Sequence, residues 1–171
     1  QDLARAGLRQ AVHHHGARWH LDGVTVRPKP IQQPLDVWLG GQAPSELRRV
    51  GRLGDGWLPS FCSVDEVREG WSTITDVAAD HGRVIDPEHL GVLITYSRTE
   101  VPELMRRFLE RRRPGVDPEQ IVPVGLEQLR ARIEALTEVG ASKFVVAPLG
   151  APCDAATELP DVADALFDLQ N

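Results

Sequence analysis

The sequence predicts an α/β fold in which short parallel strands alternate with helices. Three observations carry this. There are four short apolar stretches, at 36–40, 56–59, 90–96 and 143–147. Segments of helical periodicity lie between and after them, and glycine or proline marks most of the junctions. Four such βα units are half of an eight-fold barrel, which takes about 250 residues when whole. The chain has 171 residues, enough for one domain with a real core. We read residues 16–35 as a hairpin and connection and 36–171 as the βα units of that domain. A complete small doubly wound sheet is the alternative on periodicity alone. It leaves unexplained why the chain opens at Gln1 and has its only methionine at Met105, so the expectation is that residues precede it.

Taken in order, Leu3–Val12 is moderately helical, weakened by Gly7. His13, His14 and His15 lead to Gly16, and Arg18–Pro28 alternates around Asp22-Gly23, a hairpin signal. "PKPIQQP" at 28–34 reads as an extended connection, because proline removes donors and fixes φ. Asp36–Gly40 is a buried strand. Pro44–Leu53 is a helix with Leu47, Val50 and Leu53 at helical spacing. Gly56–Pro59 is a second strand, and Val64–His81 is a helix stopped by Gly82. "LGVLITY" at 90–96 is an unbroken apolar run, as in a strand covered on both faces. Thr99 is placed to cap a helix to Arg113 with Val101, Leu104, Met105, Phe108 and Leu109 on one face. Leu126–Val139 is an amphipathic helix ended by Gly140. Lys143–Ala147 is a strand, and Asp161–Leu169 a last helix.

Composition removes several function classes. The formal charge is −6, which gives no electrostatic support for nucleic-acid binding. No apolar run is long enough to cross a bilayer. Cys62 and Cys153 are too few for a disulfide framework and read as reduced thiols of a cytoplasmic protein.

The stretch "DVWLGGQAPSELRRVGRLGDGWLPS", 36–60, holds the most specific local chemistry. A helix start has unpaired N–H donors and the positive end of the dipole, so it suits an anion such as phosphate. Gly40 and Gly41 just before it let a ligand approach the backbone closely. Pro44 fits the first helical position, where no donor is needed. The expected cap, Ala43, has no side-chain oxygen, which leaves donors for an outside acceptor. Glu46 is placed to fold back as a capping-box partner and bring negative charge there. A plain tight turn is the competing reading.

The order of these words is more specific than any one of them. From "HHGARWHLDGVTVRPKPIQQP" through "LGGQAPSELRRVGRLGDGWLPS", and again in "RRRPGVDPEQIVPVGLEQLRARIEALTEVGASKFVVAPL", the sequence resembles the luciferase-like monooxygenase superfamily. Within it, the likeness is to oxidoreductases that use the deazaflavin F420. It runs from about His14 to Leu149. The resemblance implies a TIM-type (β/α)8 barrel with this chain as its C-terminal half. It implies that Gly40 and Gly41, with Gln42 and Ala43 beside them, bind the cofactor's phosphate through backbone N–H groups. The family usually has serine or threonine where Ala43 stands, a loss of one hydrogen bond, about 0.5–1.5 kcal/mol net. The family's first four strands carry much of the ring and substrate pockets, so the catalytic group is expected outside this sequence.

Other residues carry weaker signals. Three consecutive histidines point to alternate faces and do not make a metal site. Asp55, between two glycines, reads as a turn residue. Trp57 reads as core rather than as a stacking platform. Arg106, Arg107, Arg111, Arg112 and Arg113 read as a solvated face diluted by Glu103 and Glu110. Lys143 starts its strand, away from the ligand end, and Ala147 offers no chemistry. Cys62 lies on the ligand side with no basic neighbour in the text to activate it.

The implied function is hydride transfer between F420 and a small organic substrate in a homo-oligomeric enzyme. Flavin mononucleotide (FMN) with oxygen chemistry is the nearest alternative. An inactive half barrel that only binds a partner is the alternative from another class.

Overall fold

A computed structural model describes residues 11–32, 34–149 and 154–170. Most of the expected helix at 3–12 and all of Cys153 lie outside them. The chain divides into two compact units, one up to Val37 and one from Trp38 onward.

In the first unit, β1 (Val12–His15) pairs antiparallel with β2 (His20–Val24). The turn is not at Asp22-Gly23. It lies at Gly16–Trp19, where the Gly16 N–H donates to the Trp19 carbonyl at 2.9 Å. Asp22 and Gly23 instead sit inside β2, where the register shifts by one residue opposite His13. Gly23 has φ +64°, so the Asp-Gly pair absorbs an extra residue as a bulge. The Asp22 carboxylate lies 2.6 Å from His13 Nδ1 and fastens the bulge to the facing strand. Among the described residues of 28–34 there is neither helix nor strand, as the prolines require.

The second unit alternates strand and helix. Its elements are β3 (Trp38–Leu39), α1 (Pro44–Leu53), β4 (Gly56–Trp57), α2 (Val64–Asp80), β5 (Gly91–Tyr96), α3 (Glu103–Arg112), α4 (Gly125–Glu138), β6 (Lys143–Pro148) and α5 (Ala155–Leu166). β3 pairs parallel with β4, Trp38 opposite Gly56, and β5 with β6, Gly91 opposite Lys143 through Tyr96 opposite Pro148. Parallel bridges from Trp57 to Leu90 and from Ser60 to Leu93 join the two pairs. The strands therefore lie side by side in chain order, all parallel. A doubly wound sheet reverses its order at a switch point, whereas a barrel does not. The arrangement is that of half of a TIM-type barrel.

The strands and helices close over Trp57, Leu90, Val92, Ile94 and Tyr96 with Val67, Ile74, Leu129, Ile133 and Leu136, all buried. A second cluster of Val101, Leu109, Ile121 and Val122 lies under α3.

Three element expectations change. α3 starts at Glu103 behind Pro102, and Thr99 caps nothing. Pro102 pushes Val101 out of the helical region, so no helix runs through it. α5 starts six residues earlier than the expected Asp161: the Asp154 side chain accepts the Ala156 N–H at 3.0 Å, and Pro160 is carried inside the helix. Glu158, in that early turn, is buried and accepts the Tyr96 hydroxyl, a tertiary anchor that holds the helix across its proline. The apolar face of α3 is only half covered: Leu109 is buried, while Leu104 is 81% and Phe108 39% exposed. Among the described residues, no helix is long and apolar enough to cross a membrane.

Candidate functional site

β3 delivers its C-terminal end to Gly40 and Gly41, and α1 begins three residues later. Gly41 has φ +99°, and a Cβ there would come within 2.5 Å of Glu46 Cδ and Oε2. Both facts require glycine. The Gly41 carbonyl is held by Trp57 Nε1 at 2.9 Å, and the Gln42 side-chain amide donates to the Ser60 carbonyl. Ala43 is the cap residue and has no side-chain bond. The donors beside it are taken: Glu46 Oε2 accepts the Gln42 N–H and the Ala43 N–H, each at 2.9 Å. These two bonds, that from Ala43 first, hold the Glu46 carboxyl below its usual range. Two backbone donors thus converge on one anionic oxygen at the C-terminal end of a parallel strand.

The next loop, after β4, runs alongside. Phe61 has φ +55°, an uncommon conformation for an aromatic residue. α2 opens with a complete capping box. Ser63 Oγ accepts the Glu66 N–H at 3.2 Å, and Glu66 Oε2 accepts the Ser63 N–H at 2.8 Å. The other Glu66 oxygen accepts from Arg113, which also donates to the Phe61 carbonyl at 2.6 Å and to Gln42 Oε1 at 3.3 Å. Burial pushes the Glu66 carboxyl up, but Arg113 and the Ser63 amide outweigh it and hold it below its usual range. Cys62 is 5% exposed. Burial, then the Glu66 charge, pushes its thiol up to about 12, so it stays neutral and unreactive at physiological pH.

Phe61 also walls an apolar cleft of about 770 Å³ with Pro102, Leu104, Met105, Phe108 and Leu149. The Phe61 and Phe108 rings lie 5.8 Å apart, and the Arg112 guanidinium stands 5.3 Å above Phe108. The size is that of a small-molecule site.

The model of the luciferase-like monooxygenase family matches residues 2–116, more than half of the chain. The chain belongs to the luciferase-like monooxygenase family. Solved structures with the same fold include an F420-dependent secondary alcohol dehydrogenase in complex with an F420-acetone adduct, at 16% identity and a TM-score of 0.62. That match covers 92% of this chain and 56% of the other. The coenzyme F420 dependent tetrahydromethanopterin reductase from Methanopyrus kandleri matches at 16% identity and a TM-score of 0.57, over 96% and 57% of the two chains. The FMN complex of the oxygenating constituent of 3,6-diketocamphane monooxygenase from Pseudomonas putida matches at 15% identity and a TM-score of 0.53, over 96% and 59%. This luciferase-like chain therefore spans little more than half the length of these structures. No curated protein matches it in sequence.

Within the family fold, the residues read from sequence separate. Gly40, Gly41, Gln42 and Ala43 share one turn with Glu46. Trp57 is buried and supports that turn. Asp55 lies at the opposite end of β4, where Arg83 holds it at 3.2 Å while also donating to the Gly51 and Gly54 carbonyls. Lys143 is at that end too, donating to the Glu88 carbonyl at 2.6 Å. The arginines do not form one solvated face: Arg106 pairs with Glu119 and Arg107 with Glu103, whereas Arg113 turns inward. Sequence reasoning missed Arg113, Glu66 and Phe61. The Ser63-x-x-Glu66 capping pattern was visible in the text; nothing local marked Arg113 as different from its neighbours.

The cradle fits a cofactor phosphate by its donor chemistry. Glu46 shows that the Gln42 and Ala43 amides accommodate an anionic oxygen, and Gly41 makes room for the side chain that carries it.

Proposed function

We propose that this luciferase-like chain forms the phosphate end of a deazaflavin or flavin site in a cytoplasmic oxidoreductase, with F420 as cofactor and a small organic substrate. One observation carries the reading: two backbone N–H groups converge on a single anionic oxygen at the C-terminal end of β3, beside a glycine whose φ of +99° strains any other residue.

In this reading Gln42 and Ala43 hold the phosphate through backbone N–H groups, and Gly40 and Gly41 let it come close. Trp57 keeps the Gly41 carbonyl turned away from the anion by bonding it. Arg113 sets the position of Gln42 and of the Phe61 loop. The apolar cleft between Phe61 and Phe108 excludes water from an apolar part of the substrate or cofactor. When bound, the cofactor supplies the hydride chemistry. FMN is the second reading, favoured by the FMN-bound structure of the same fold, since one phosphate cradle serves either. The working enzyme is a homo-oligomer.

The test is a fluorescence titration of the chain with F420 and with FMN, repeated in inorganic phosphate. Binding of one cofactor, competed by phosphate, is the expected result. Binding that phosphate does not compete defeats the assignment of Gly40–Ala43. Binding of neither favours a half barrel that only binds a partner.

A further inference from the structure

We propose that Glu46 is a resident competitor for the anion: its carboxylate holds the Gln42 and Ala43 donors, and a phosphate enters only by displacing it. This rests on the reading of Gly40–Ala43 as a phosphate end.

The geometry is direct. Each of the two amides already spends its proton on Glu46 Oε2 at 2.9 Å. A phosphate oxygen cannot take either bond without the carboxylate leaving. The space that Gly41 leaves open is occupied too, by Glu46 itself: a Cβ at Gly41 would meet Glu46 Cβ at 2.9 Å as well as its carboxylate at 2.5 Å. The glycine thus makes room for this side chain in its folded-back position. An incoming phosphate also meets like charge, which adds repulsion to competition.

The same feature lets the side chain go. Among the described residues the Glu46 carboxylate forms no ion pair; its hydrogen bonds are the two to the turn, and Arg49 acts on it only through its charge. Glu66, its counterpart on α2, is pinned at its second oxygen by Arg113. Ala43 has no hydroxyl, so the Glu46 N–H donates to the Ala43 carbonyl at 2.8 Å and α1 lacks the side-chain half of the cap. Glu46 is half-buried, with solvent to swing into. A phosphate monoester carries more charge and more acceptor oxygens than the carboxylate it replaces, and this difference decides the exchange.

The test uses the isotopically labelled 171-residue chain, titrated with inorganic phosphate. Affinity is read calorimetrically and the site is read from the Gln42 and Ala43 amide resonances. Glu46→Ala is expected to bind phosphate on the order of tenfold more tightly than the natural chain, because both donors and the like charge are released. Glu46→Gln keeps an uncharged acceptor for the cap, so it also serves if the alanine variant does not fold. It is expected to fall between the two. Equal affinity in all three chains, with both amides responding, overturns the competitor role and leaves the phosphate end standing. Phosphate binding to neither the natural chain nor a folded variant, or binding that leaves those amides unmoved, overturns both.

Discussion

The starts of α1 and α2 are two answers to one physical problem, and they differ in the cap side chain and in what holds the glutamate. Each helix follows a short parallel strand, and each must satisfy N–H donors at its first turn. Their cap residues have nearly the same backbone, φ −63° and ψ 147° at Ala43 and φ −74° and ψ 165° at Ser63. Each has a glutamate three residues on that folds back. At α2 the serine hydroxyl completes the exchange, and Arg113 fixes the glutamate's second oxygen. At α1 there is no hydroxyl, and no arginine bonds the glutamate; Arg49 acts on it only through its charge. α2 is closed as a piece of structure, while α1 lacks the side-chain half of its cap at the turn proposed above to hold the phosphate.

The comparison breaks first at Trp57, which supports the α1 turn from β4. Its side chain is buried, and Gly70 is shaped around it: a Cβ at Gly70 would come within 2.5 Å of the indole. Trp57→Ala is expected to destabilise the fold by about 3–5 kcal/mol, read from the denaturant midpoint. Trp57→Phe keeps much of the core contact and loses the bond to the Gly41 carbonyl. It is expected to cost less than half as much, while still shifting the Gly41 and Gln42 amides. Equal costs for the two variants would mean that the indole N–H, rather than the packing, carries the contribution.

Arg113 is the next largest. Arg113→Met strands the Phe61 carbonyl and the Glu66 carboxylate, and an expected loss of about 1–3 kcal/mol follows from leaving such groups unpaired. The effect also has a pH signature. The Glu66 carboxyl is held low in the folded chain. Its contribution is therefore full above the unfolded glutamate value of about 4.3 and is lost as pH falls through the lower folded value. The stability difference between the natural chain and the variant should shrink as the solution is acidified. A difference that is flat with pH would show that Arg113 acts through the Phe61 carbonyl, Gln42 and packing, and not through Glu66.

Most of the fold was legible because periodicity survives burial. The four strands and the helices α1, α2 and α4 lie where the apolar spacing puts them, since each is decided by its own residues. The misplacements share a cause: contacts distant in sequence. Asp22-Gly23 looked like a turn because its local chemistry fits one, yet the facing His13 drew it into a bulge. α5 looked as if it began after Pro160, yet Glu158 is anchored to Tyr96, 62 residues away. At the site, Gly40–Ala43 and Glu46 were readable because they lie within seven residues of one another. Arg113 was not, because its partners Gln42, Phe61 and Glu66 are 71, 52 and 47 residues away. Five arginines within eight residues give no hint of which one turns inward.

The smallest expected effect tests the comparison most directly. Ala43→Ser gives α1 the atom that α2 already has. The two cap backbones nearly coincide, so serine enters without strain, and Ala43 is exposed, so the hydroxyl has room. Its oxygen would accept the Glu46 N–H as Ser63 Oγ accepts that of Glu66. A stabilisation of about 0.5–1 kcal/mol is expected, seen as a raised thermal midpoint, and Ser63→Ala should lose about as much at α2. If the turn takes phosphate as proposed, the new hydroxyl adds a donor beside it, so Ala43→Ser should strengthen binding as well as the helix. If stability rises while phosphate affinity is unchanged, the α1 start is a helix cap and no more. If neither moves, the missing oxygen was never what distinguishes the two helices, and the difference must be sought in Arg113 alone.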